Sequence, residues 1–274
     1  MLMTGKSSIA NRIMIVIPAL CLCVSALMLR GVASRAAEPA PTNTVGISAE
    51  QIPPYSRAAS VVVNGNVPEF TADEITTSSF EQYGEPDLLG RCTAAIACVG
   101  KDLMPTEERE DISDVRPTGW KQNKYPGLID TDPPFLYNRC HMIGFQLTGE
   151  NANEKNLITG TRYMNVQGML LYENEVAEYV QDTGRHVMYR VTPVFREKNL
   201  LCEGVKIEAY SVEDKGRGIS FNVFCYNVQP GVDINYADGS NELAPDADTV
   251  VETRPIHDAW QRFREWIGRI FGRE

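Results

Sequence analysis

An apolar run of 17 residues, Ile13 to Leu29, follows Lys6 and Arg12 and precedes Arg30 and the small-residue stretch Val32 to Ala37. Basic residues, an apolar block and small residues in that order are the pattern of an export signal. The run is long for a cleaved signal and at the short limit for a membrane span, so residues 1–37 read as a signal peptide or an N-terminal membrane anchor. The chain is then expected outside the cell or anchored on the outer face of the cytoplasmic membrane. Residues 38–59, rich in Pro, Ala, Thr and Ser up to Tyr55, suit a solvated linker. From Ser60 the pattern becomes β-like. Val61 to Val63, Asn64-Gly65-Asn66 and Val67 to Phe70 predict a hairpin, because Asn-Gly supplies the positive φ of a tight turn. Leu88 to Val99 predicts another strand and Pro105 to Pro117 a polar loop.

Four later runs are β-like: Phe135 to Leu147 in part, His186 to Phe195, Val205 to Val212, and Ile219 to Val228. Between the first two, Met169, Tyr172, Val176, Tyr179 and Val180 recur at helical spacing within Met164 to Gln181. The pattern predicts an α+β fold, a mixed sheet with one central helix, over residues 60–240. Beyond it, Asp233 to Thr253 reads as acidic loop, and Ile256, Trp260, Phe263, Ile267 and Ile270 make an amphipathic helix of the final segment, 241–274 being linker plus helix. That helix either docks on the domain's own core or, with two tryptophans and five arginines from Arg254 onward, contacts a membrane or partner.

Composition narrows the choice. At 274 residues and 43% apolar content the chain can bury a core, and a formal charge of -10 argues against a protein that coats nucleic acid electrostatically. Between Arg116 and Lys198, ten basic residues meet nine acidic ones, so the middle is near neutral and the acidity lies in the flanks. Of seven cysteines, five lie beyond the apolar segment, with no CxxC or Cys/His metal spacing; buried free thiols are expected for most.

The chemistry concentrates in two places. Tyr137-Asn138-Arg139-Cys140-His141 carries one of only three histidines, with an arginine two positions before it. A lone histidine is usually structural, but the helix changes the reading. With Met169 at zero and about 100° per residue, Asn165 falls near 320° and Glu173 near 40°, flanking the apolar stripe. An amide and a carboxylate so placed need hydrogen bonds or a metal ion. Bracing of neighbouring loops is the structural alternative.

Arg116-Pro117-Thr118-Gly119-Trp120, Asn138-Arg139-Cys140-His141, Asn156-Leu157-Ile158-Thr159-Gly160-Thr161-Arg162, Asn165, Phe221-Asn222-Val223 and Asn227-Val228-Gln229-Pro230-Gly231 together resemble the DNA/RNA non-specific endonuclease family, the ββα-metal group, in its streptococcal-type secreted or membrane-anchored form. The family's Asp-Arg-Gly-His pattern here has Asn138 for Asp and Cys140 for Gly. The resemblance implies a mainly antiparallel sheet with a metal-binding helix and an exported endonuclease for DNA, with RNA left open. It implies His141 as general base, Arg139 as the residue neutralising the phosphorane, and Asn165 as the direct ligand of Mg²⁺, with Mn²⁺ as a substitute. Asn156 would position the site, Glu173 would hold the ion's water shell, and Arg91 and Arg162 would contact the substrate backbone. Products would carry 5′-phosphates. A catalytically silent nucleic-acid-binding module with the same fold is the alternative.

Overall fold

The computed structural model describes residues 47–245 and 247. Ten strands follow one another: β1 Ser60–Val62, β2 Phe80–Tyr83, β3 Ala95–Val99, β4 Tyr137–His141, β5 Leu157–Thr161, β6 Val187–Val194, β7 Gly204–Ser211, β8 Ser220–Tyr226, β9 Val232–Ile234 and β10 Asn241–Leu243. Helix α1 is Phe145–Thr148 and α2 is Leu170–Thr183, the latter preceded by a π-helical turn, Met164–Met169. A six-stranded sheet has the order β1-β8-β7-β6-β3-β2, antiparallel throughout, while β4-β5 and β9-β10 form separate two-stranded ribbons. The α+β class with a mainly antiparallel sheet is as expected.

Period-two alternation divides the sheet into two different faces. Val205, Ile207 and Ala209 of β7, with Phe221, Val223 and Cys225 of β8, point into the main core, where they meet Val176, Ala177 and Val180 of α2 and Cys140 and Ile158 of the β4-β5 ribbon. Burying one such aliphatic or aromatic side chain contributes roughly 1.5–3 kcal/mol. The ribbon and α2 are therefore fixed on one side of a sheet whose long central strands make the frame.

The opposite face of β6 and β7 carries charge instead. Glu208, wholly buried, accepts from Arg190 Nε at 3.0 Å and from the backbone N–H of Glu69 at 2.7 Å, and it lies 3.3 Å from Lys206 Nζ. Lys206 also pairs with Glu69, and Arg190 with Glu74 at 2.9 Å, its guanidinium stacked over the Phe70 ring at 4.7 Å to the centroid. This clasp ties the segment around Glu69–Glu74 across the sheet.

Several expected elements differ. Asn64-Gly65-Asn66 does turn with positive φ at all three positions, but it forms a 3-10 turn, and no strand follows at Val67 to Phe70. β1 instead pairs with β8, Ser60 opposite Cys225, and Asn222 takes the Val67 carbonyl at 2.8 Å. The strand expected over Leu88 to Val99 begins only at Ala95, because Asp87 caps a turn through Leu89 and Arg91 N–H groups. Pro105 to Pro117 is irregular, as expected, whereas the stretch from Asp233 contains the β9-β10 hairpin. All five thiols, Cys92, Cys98, Cys140, Cys202 and Cys225, are buried and free. No helix among the described residues is long and apolar enough to cross a membrane. The N-terminal segment 1–37 and the C-terminal helix lie outside the described residues.

Candidate active site

β4 ends at His141, and β5 runs back beside it with Arg139 opposite Thr159 and His141 opposite Leu157. Two glycines let this ribbon lie close to its neighbours. A Cβ on Gly160 would stand 2.4 Å from Cys140 Sγ, and one on Gly144 would stand 2.7 Å from the Glu173 carboxyl. The turn after His141 is held by Asn156, fully buried, whose Oδ1 accepts from Ile143 N at 2.9 Å and whose Nδ2 donates to Ile143 O at 3.0 Å. Asn156 is thus a positioning residue behind the cleft, both ends of its amide engaged by backbone.

His141 is 6% exposed. Its Nε2 donates to the Asn151 carbonyl at 2.8 Å, which assigns the Nε2–H tautomer and leaves the Nδ1 lone pair as the basic site. Arg109 Nη2 donates to that Nδ1 at 3.1 Å. Burial and then the Arg109 charge press the imidazole pKa down to about 4, so the ring is neutral at pH 7.

A cleft of about 1040 Å³ opens in front of His141. Arg139, Asn138, Arg162, Asn165, Glu173 and Gly144 line it, together with Glu107, Glu108 and Arg109 from the irregular segment. Arg139 lies 4.4 Å over the Trp120 ring and donates to the carbonyls of Val115, at 2.6 Å, and Ser113. Cation–π contact and two carbonyls hold a guanidinium whose outer edge faces the cleft.

The π turn explains how Asn165 and Glu173 share this cleft. In an unbroken α-helix, eight residues overshoot two turns by about 80°. The Leu170 N–H bonds instead to Asn165 O, five residues back, so one extra residue is accommodated in the first turn and most of that overshoot disappears. Glu173 is buried against the floor of the cleft, and that burial pushes its carboxyl up to about 8, with the Arg109 charge pulling the other way. Gln146, 4% exposed, donates through Nε2 to Asn174 at 3.1 Å, while its buried Oε1 has no hydrogen-bond partner among the described residues. Asn165, Glu173 and Gln146 thus offer amide and carboxylate oxygens, with an acceptor still to be satisfied, and this set fits a hard divalent cation. No group of three His, Cys, Asp or Glu side chains among the described residues could hold a metal ion.

His141, Arg139, Arg162, Asn165 and Glu173 come together as the sequence suggests. Arg91 does not. Its guanidinium is committed to Asp87, to the carbonyls of Glu197 and Asn199, and to the Phe195 ring at 4.5 Å, away from the cleft. Arg109, Gln146 and Gly144 were not foreseen. An arginine alone among four acids, Glu107, Glu108, Glu110 and Asp111, was the available signal for Arg109.

The family model of the DNA/RNA non-specific endonucleases matches residues 71–213. No curated protein matches. Among solved structures, NucA from Streptococcus agalactiae with magnesium bound is 25% identical, covering 67% of this chain and 86% of its own, with a TM-score of 0.57. The form of NucA with no metal bound is 24% identical, covering 72% and 92%, with a TM-score of 0.61. The Sda1 nuclease with bound zinc is 22% identical, covering 68% and 97%, with a TM-score of 0.57.

Proposed function

Since the chain belongs to the DNA/RNA non-specific endonuclease family and is a nuclease, we propose that it is exported and that it hydrolyses DNA, with RNA left to the digestion test below, using Mg²⁺, Mn²⁺ serving as substitute, and leaving 5′-phosphates. The observation that carries this reading is the convergence, on one cleft, of a neutral histidine with an oriented lone pair, four arginines (Arg109, Arg116, Arg139 and Arg162) and an amide-rich oxygen set. A silent binding module would have no use for the buried Glu173 or the depressed His141.

In the proposed reaction His141 Nδ1 takes the proton of the attacking water. Its Nε2–H remains on Asn151, which holds the ring plane and stabilises the imidazolium as it forms. Arg109 must exchange its bond to Nδ1 for one to the incoming phosphate, which frees the lone pair as substrate arrives. Arg139, already oriented by Trp120 and two carbonyls, neutralises charge on the pentacovalent phosphorus together with Arg162. Asn165 would hold Mg²⁺ directly, with Glu173 and Gln146 on its water shell, and the bound ion would supply Lewis-acid stabilisation of the leaving 3′ oxygen. The side chains grip phosphate and ion, not base edges, which accords with low sequence preference.

Plasmid DNA and RNA digestion by the full chain, with Mg²⁺ or with EDTA, tests the reading beside His141→Ala and Asn165→Ala. Cutting that needs the ion and is abolished by both substitutions is expected. Cutting that survives His141→Ala, or EDTA, would sink the mechanism. Release of the chain into the medium, or its retention on the membrane, checks export and the anchor.

A further inference from the structure

We propose that Phe135 is a stacking platform for an unpaired base beside the scissile phosphate, and that it turns this nuclease toward single-stranded nucleic acid; the inference rests on the nuclease reading of the same cleft. Phe135 lines the cleft and is 37% exposed, so part of its ring is open toward whatever the cleft holds. Lys124 holds its ammonium 5.0 Å from the ring centroid. An exposed aromatic ring with a cation over it is the pairing that takes a base on the ring and its phosphate on the charge.

The platform is rigid. Lys124 and Phe135 face each other across an isolated antiparallel bridge, closed by Tyr125 N to Pro134 O at 3.0 Å and Leu136 N to Asn123 O at 3.0 Å. It also stands at the right place along the cleft. Phe135 precedes Arg139 by four residues, at most roughly 13 Å at the strand rise, which keeps a base stacked on Phe135 next to the phosphate that Arg139 would grip.

The ring can receive only a base whose face is free. In a duplex each base face is covered by its neighbours, so stacking on Phe135 requires an unpaired or splayed nucleotide. Charge acts in the same direction. Arg109, Arg116, Arg139 and Arg162 line the cleft, with Lys124 over the Phe135 ring, and suit one strand of phosphates, whereas Glu107 and Glu108 in the same lining oppose phosphates crowded beside it.

The test is kcat/KM on a short single strand and on a hairpin duplex of the same sequence, for wild type, Phe135→Ala and Phe135→Trp. The ratio of single-strand to duplex kcat/KM is expected to fall about five- to hundred-fold in Phe135→Ala, from the size of base–aromatic stacking, and to recover in Phe135→Trp. A merely structural role would lower both substrates alike, and an unchanged ratio would overturn the proposal while leaving the nuclease intact. Fluorescence anisotropy of the labelled single strand on full-length His141→Ala protein, with and without Phe135→Ala, needs no turnover. Binding weakened by the second substitution supports the platform even where no substrate is cut; binding untouched by it overturns the platform whatever the activity shows.

Discussion

The two faces of the central sheet both bury charge, and they do so to opposite ends. On the outer face Glu208, Lys206, Arg190, Glu69 and Glu74 answer one another, and each carboxylate of that clasp meets a cation. On the cleft side Glu173 faces only the charge of Arg109 against a full desolvation cost, His141 is held neutral, and Gln146 Oε1 has no partner among the described residues. Charge matched within the protein gives a fixed structure. Charge left unmatched beside a cleft is held ready for a ligand, which is why perturbed groups gather at functional sites.

The contrast can be broken most directly at its reactive end. His141→Ala is expected to lower kcat by about 10²–10⁴-fold, with the thermal midpoint close to wild type; a loss of folding on the scale of the clasp substitutions would remove the distinction. Glu208→Ala should do the reverse. Leaving Arg190 and Lys206 without their shared buried partner costs about 3–5 kcal/mol, read by urea denaturation, while turnover per folded molecule is kept. A large fall in specific activity in Glu208→Ala would mean that the faces are not separable.

Gly144→Ala tests how closely the cleft is built. Its backbone is an ordinary extended one, φ -60° and ψ 143°, so the constraint is space alone: the new methyl meets the buried Glu173 carboxyl. A destabilisation of about 1–3 kcal/mol is expected from overpacking, relieved in Gly144→Ala combined with Glu173→Ala. Lack of relief would place the strain elsewhere.

A last test concerns pH. Glu173 titrates near 8 in the fold and near the ordinary 4.5 when unfolded, so the native state holds the proton more tightly between those values. Stability in EDTA should therefore fall as pH rises from about 6.5 to 8, above the window in which His141 acts, and Glu173→Gln should flatten that slope. His141 works oppositely over a lower window. Its pKa near 4 when folded and 6.5 when unfolded makes stability rise with pH between them, and this limb should survive Glu173→Gln. Thermal midpoints across pH 4 to 9 for the two proteins check both signs.

The site was more legible in the sequence than the edges of the fold. His141, Arg139, Asn165 and Glu173 line the cleft; the family resemblance of the strand motif pointed to the first two, and helical phase placed the other two beside the apolar stripe. The long strands β6, β7 and β8 were legible as β-like runs. The false hairpin at Val61 to Phe70 shows the limit: Asn-Gly reports a turn, but which strand pairs with β1 is decided 165 residues later, at Cys225. Strand β5 is short and interrupted by Gly160, whose lack of a side chain is needed by Cys140 and not by any local pattern. Arg109 was invisible for a related reason. Irregular segments have no period, so nothing in Glu107 to Asp111 says where its one cation points.

The π turn before α2 has a consequence for how this protein can change over time. Its extra residue acts as a phase adjuster between the ribbon, which fixes Asn165, and the helix, which carries Glu173. Deleting one residue between Val166 and Met169 would turn the π turn into an ordinary α-helical one and leave Asn165 and Glu173 seven residues apart, about 20° short of two full turns, so both would still face the cleft. A second deletion would rotate one of the two oxygens by about 100° relative to the other. The turn therefore gives a lineage of this fold slack of one residue: it can lose the extra position and keep its site, but it cannot lose another.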